Sequence, residues 1–131
     1  MGAVPVLVIA PDERWLRVLE VTLKLGGFLP VARRSIEEAR HLRSGDERAR
    51  AVVLDLGADS NASDLEAIRQ LLDDVSLPMV VILPERMGEH RARFEEAGAS
   101  VIVRPYPPSA LHAALRRASA TELAPAATEE P

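Results

Sequence analysis

The sequence contains no cysteine. That excludes disulfides, thiolate zinc sites and cysteine nucleophiles, and it fits a cytoplasmic location. Aromatic residues make up only 3%, with one Trp, one Tyr and two Phe. A stacking platform for single-stranded nucleic acid is therefore not expected. Positive charge is not in excess: 16 Lys and Arg stand against 20 Asp and Glu, a net charge of -4. Direct nucleic-acid binding is not expected from that balance. No apolar run approaches bilayer-spanning length, so no membrane role is expected. Met1-Gly2-Ala3-Val4-Pro5 has no basic n-region, and no secretory signal is read there. No glycine-rich phosphate loop is present, because Gly26-Gly27 follows a predicted helix and not a strand. No serine sits in a nucleophile elbow. His41, His90 and His112 fall singly on different predicted helices and read as surface residues, not metal ligands.

What is present is a regular rhythm of apolar runs. The chain has 131 residues, 47% of them hydrophobic, enough for one domain with a real core. Five runs recur: Val6 to Ile9, Leu29 to Ala32, Ala51 to Leu56, Met79 to Leu83 and Val101 to Val103. Each interval holds one strand, one helix and two loops, so the pattern predicts a repeated β-α unit. Parallel strands need crossovers, and near-continuous apolar strands need helices on both faces. The domain is placed at residues 4–118. Residues 119–131, rich in Ala, Thr, Glu and Pro, read as a disordered tail or linker stub.

The first helix is predicted from about Glu13 to Leu25, with Asp12 as N-cap and Trp15, Leu16, Leu19 and Leu23 on one side. Gly26-Gly27 stops it. Pro30 removes a ladder donor, which places the second strand at a sheet edge. Ser35-Ile36-Glu37-Glu38 is a capping box that opens a second helix ending near Arg43. A third helix spans roughly Asp64 to Asp73, with Asp73-Asp74 at its exposed end. A polar fourth helix, about Gly88 to Ala97, has only Ala92, Phe94 and Ala97 as apolar anchors. Pro108 opens a fifth helix that continues to about Arg117, with Leu111, Ala114 and Leu115 inward. The pairs Arg33-Arg34 and Arg116-Arg117 and the group Arg40-His41-Arg43 read as solvated faces.

The third run carries the one candidate chemical group. A charge is expensive inside a doubly buried strand, so Asp55 belongs at its end, facing solvent or a cation. Ligands of open α/β sheets bind at the carboxyl ends of the strands. A strand-end carboxylate paired with Arg104 is one reading of Asp55; a phosphate acceptor is the other. Arg104-Pro105 reads as a turn open to either peptide isomer, and Tyr106 as packing against the fifth helix.

Several segments together resemble a two-component response-regulator receiver domain. They are Val6 to Ile9 followed by Asp12-Glu13, Val53-Leu54-Asp55-Leu56, Leu77-Pro78 leading into Met79 to Leu83, Glu96-Ala97-Gly98-Ala99, and Val103-Arg104-Pro105-Tyr106. The resemblance implies a flavodoxin-like (βα)5 three-layer sandwich with parallel sheet order 2-1-3-4-5. It also implies a phosphoryl acceptor at Asp55, served by a Mg²⁺ held on an acidic pair, a hydroxyl after the fourth strand and a lysine after the fifth.

This sequence departs from that pattern. The acidic pair falls on Ala10 and Pro11, which offer no side-chain oxygen to a hard cation. Asp12 comes one position late. The hydroxyl position is Pro84, the lysine position is Arg104, and the switch aromatic falls on Val101. The loop Gly57 to Ser63 lacks the usual proline and glycine signposts and is a residue longer than the family's. The pattern resembles the atypical pseudo-receivers, which act without phosphorylation, metal or catalysis. The implied role is a protein-interaction module in signalling. Its partners would be signalling proteins such as a histidine kinase or a fused output domain, with a possible homodimer through the fourth helix, fifth strand and fifth helix. The alternative is a working receiver phosphorylated on Asp55, with Asp12 and Asp55 holding Mg²⁺. A small-ligand binder of the same shape is a third reading, for which the sequence names no phosphate cradle.

Overall fold

The computed structural model describes residues 4–10, 12–33, 49–56, 66, 70 and 77–123, with side chains to residue 118. The predicted second helix, most of the third, Asp73-Asp74, Pro11, Arg34, His41, the loop 57–63 and residues 124–131 lie outside the described residues. Among the described residues, five strands form one sheet: β1 (Val4–Ile9), β2 (Phe28–Arg33), β3 (Ala51–Asp55), β4 (Met79–Leu83) and β5 (Ser100–Val103). All pairings are parallel, and the order is β2-β1-β3-β4-β5. This is the expected flavodoxin-like arrangement. Pro30 lies on edge strand β2 opposite Val6, where its missing N–H is tolerated.

The helices among the described residues are α1 (Glu13–Leu25), α2 (Arg91–Glu96, entered through a 3-10 turn over Glu85–His90) and α3 (Pro108–Leu123). Asp12 caps α1, its Oδ1 accepting from the Arg14 N–H at 2.9 Å. Leu16, Leu19 and Leu23 of α1 pack with Leu111, Ala114 and Leu115 of α3 on one face of the sheet, over Val6, Val8, Val53 and Val80. Met87 and Phe94 cover the other face, over Leu54, Val81 and Leu83.

Four local expectations are corrected. Trp15 is not inward but 41% exposed; at position 15 it sits a hundred degrees round the helix from Leu16. The predicted fourth helix starts earlier, as a 3-10 turn after Pro84, and gains an anchor outside the expected apolar set, buried Met87. The fifth helix passes Arg117 and runs to Leu123, since neither Gly nor Pro interrupts the chain there. His112 is no surface residue: it is half-buried, donates from Nε2 to the Thr22 carbonyl at 2.7 Å and packs against Phe28. Its ring lies so close to Gly26 that an added Cβ would stand 2.5 Å away. That contact favours glycine at position 26, while the positive φ of the turn falls on Gly27.

Candidate functional site

The parallel sheet brings the ends of β1, β3, β4 and β5 to one edge, and the first turn of α1 rises from that edge. Asp55 is the last residue of β3 and is 1% exposed, the one buried charged residue among those described. Its neighbour in β4 is Ile82, whose carbonyl accepts the Leu56 N–H at 3.0 Å and extends the pairing past the carboxylate. Apolar strands flank it, so its countercharge must come from beyond the sheet.

Arg104 supplies it. The Arg104 N–H donates to the Leu83 carbonyl at 2.9 Å, which fixes the backbone just past β5. Its Nη2 donates to both Asp55 oxygens, to Oδ2 at 2.5 Å and to Oδ1 in a still closer contact. Nη1 donates to the Leu56 carbonyl at 3.3 Å. The guanidinium lies over the Trp15 indole with its Cζ 4.3 Å from the ring centroid, a cation–π stack. The Nε–H is buried and has no acceptor among the described residues. The Arg104-Pro105 peptide is cis.

Burial pushes the Asp55 carboxyl above its ordinary range. The hydrogen bond and charge of Arg104 pull it back, and the nearby charge of Asp12 adds to the rise. Burial also raises the Tyr106 phenol, helped by the charge of Asp55 and opposed by that of Arg104. These effects place Asp12, Asp55, Arg104 and Tyr106 in one electrostatic neighbourhood.

The other positions selected from the sequence divide clearly. Ala10 is fully buried, and its N–H donates to the Arg33 carbonyl at 3.1 Å. Asp12 is occupied as the cap of α1. Pro84 is buried, and its carbonyl accepts the Met87 N–H at 2.9 Å. Val101 is core. Among the described residues, no cluster of three or more acidic, His or Cys side chains could hold a metal ion. A divalent cation needs several oxygen ligands, and at Asp55 both oxygens already accept from a guanidinium.

Sequence reasoning missed Trp15 as a member of this site. The signal was available: Trp15 follows the capping Asp12 in the first turn of α1, and that turn stands at the strand-end edge. Trp15, Val18, Thr22, Arg104, Tyr106 and Pro108 line a mainly apolar groove of about 330 Å³ beside the pair. A second groove, about 470 Å³, runs along β5 between α2 and α3. At its rim Arg91 Nε donates to Glu95 Oε2 at 2.9 Å.

No family model matches the chain, and no curated protein does. Solved structures do. The chain is similar to NtrX from Brucella abortus at 20% identity and TM-score 0.80, over 98% of this chain and 30% of that one. It is similar to a response regulator receiver domain protein from Clostridium thermocellum at 15% identity and TM-score 0.76, over 91% of this chain and 96% of that one. A protein named adenylate cyclase from Rhodopirellula baltica matches at 14% identity and TM-score 0.74, over 98% of this chain and 95% of that one. The likeness is one of fold: the described strands and helices are arranged as in solved receiver domains. No described helix is long and apolar enough to cross a membrane.

Proposed function

We propose that this chain is a receiver-type signalling module that acts as a pseudo-receiver, binding partners without phosphorylation, Mg²⁺ or catalysis. The observation that carries the reading is the occupation of both Asp55 oxygens by Arg104 Nη2. A phosphoryl acceptor must present a free carboxylate oxygen in line with the phosphorus and needs positive charge placed on the phosphoryl oxygens. Here the cation sits on the acceptor itself. Ala10 and Pro84 offer neither an acidic ligand nor a hydroxyl at the strand ends.

The module presents one fixed surface, and control lies with its partners in the cytoplasm. A fused output domain or a histidine kinase is the class of partner that the fold suggests, as a fold-level analogy. The 30% share of NtrX that the chain spans agrees with a receiver serving as one part of a longer regulator. The groove along β5 between α2 and α3 is the candidate homodimer face. The cyclase name carried by one neighbour brings no activity to this chain, since its match is at 14% identity.

Asp12 lies near enough to add to the rise in the Asp55 pKa. Two neighbouring carboxylates are the observation that favours the alternative, a working receiver with Mg²⁺ on Asp12 and Asp55. A Mg²⁺ titration followed by amide NMR separates the two. Flat signals for Asp12 and for residues 54–56 support the closed pocket. A saturable shift at both places, lost in Asp55→Asn, establishes the alternative.

A further inference from the structure

The pair at the strand ends does not stop at two residues. Asp55 is almost fully buried at the end of the central strand β3, while Trp15 is 41% exposed on α1. Arg104 touches both, through its hydrogen bonds to the carboxylate and its stack on the indole. Its own Nε–H has no acceptor among the described residues. Among the described residues the guanidinium is held by Asp55, the Leu56 carbonyl and the Trp15 ring, and the carboxylate is the only opposite charge of the three. Trp15, Val18, Val21 and Leu25 are exposed apolar residues of α1, so the position of the indole shapes the surface that this helix offers.

We propose that Arg104 is a positioning residue that carries the charge of Asp55 to the surface of α1. The carboxylate holds the guanidinium, the guanidinium holds the indole, and neutralising the carboxylate releases both. Arg104 is suited to this because a planar guanidinium bonds a carboxylate along its edge and stacks on an aromatic face at the same time; a lysine ammonium cannot do both. The inference rests on the pair and its stack, and it stands whether or not the protein is ever phosphorylated.

The sequence has a single tryptophan, so one indole N–H resonance reports the outcome. The experiment compares that resonance in the wild-type chain, Asp55→Asn, Arg104→Met and the double variant, each checked for a dispersed amide spectrum. Asp55→Asn is expected to move the indole resonance in the same direction as Arg104→Met, although Asp55 does not touch the ring. The double variant is expected to move it no further than Arg104→Met alone. Should Asp55→Asn fail to fold, Asp55→Ser replaces it with the same expectation; should Arg104→Met fail, Arg104→Lys replaces it, and the indole is expected to leave its wild-type position because the planar stack is lost. An indole unmoved by Asp55→Asn, additive shifts in the double variant, or a wild-type resonance position in Arg104→Lys would each overturn the proposal.

Discussion

Arg104 lies 49 residues beyond Asp55 in the chain, yet its Nη2 bonds both oxygens of that buried carboxylate. The contact exists because β3 and β5 flank β4 in one parallel sheet and end at the same edge. It sets the charge of Arg104 directly against that of Asp55. The proposed function and the predictions for stability and pH all start from this contact.

Breaking this pair and replacing it are expected to differ. Arg104→Met leaves a buried carboxylate without its cation, and a loss of about 3–5 kcal/mol is expected. The double variant Asp55→Leu with Arg104→Met removes both charges from a site lined by apolar residues. It is expected to recover most of that loss, because the desolvation of the ions disappears with them. Urea midpoints for the wild-type, single and double variants check this; a double variant as unstable as Arg104→Met contradicts it.

The pH response has a definite sign. Burial raises the Asp55 pKa in the folded state above the ordinary value of 3.8, which holds for the unfolded chain. Between 3.8 and the raised value, the folded state binds more protons than the unfolded one. The contribution of Asp55 to stability is thus fully present below the unfolded pKa and is lost as pH rises through the folded one. The stability of the wild-type chain relative to Asp55→Asn should fall across this window, by at most about 1.4 kcal/mol per pH unit. Urea melts of both proteins from acid to neutral pH measure it. A relative stability that rises with pH would show that Arg104 outweighs burial.

Gly26 offers a test away from the pocket. An added Cβ would stand 2.5 Å from the His112 ring, which is held by the Thr22 carbonyl and Phe28. Gly26→Ala is expected to destabilise by about 1–3 kcal/mol, the usual range for overpacking. In a His112→Ala background the same substitution should cost much less, since the obstructing ring is gone. Equal costs in the two backgrounds, read by thermal or urea unfolding, would remove His112 from the explanation.

Much of this architecture is legible in the residues. The apolar runs from Val6, Ala51 and Met79 are pure strand signals, and Pro30 marks the edge correctly. The Asp12 cap and the Leu16-Leu19-Leu23 stripe place α1 to the residue. The pairing of Asp55 with Arg104 is one of two readings that the cost of a buried charge allows. Trp15, Met87 and His112 escape a sequence reading for a common reason. Whether a side chain at the border of a helical stripe turns inward depends on the neighbouring element, and periodicity within one helix does not contain that neighbour. Met87 lies in a 3-10 turn, where the 3.6-residue period does not apply. The peptide isomer before Pro105 depends on the packing around it, which the sequence does not display.

The proposal that the pocket is closed to phosphorylation is tested most directly by incubating the protein with a small-molecule phosphodonor and Mg²⁺ and weighing it intact. The expected spectrum contains the unmodified mass alone, for the wild-type chain and for Asp55→Asn. A phosphate adduct on the wild-type chain that vanishes in Asp55→Asn would contradict the account, because Arg104 would then have yielded the carboxylate to the reaction.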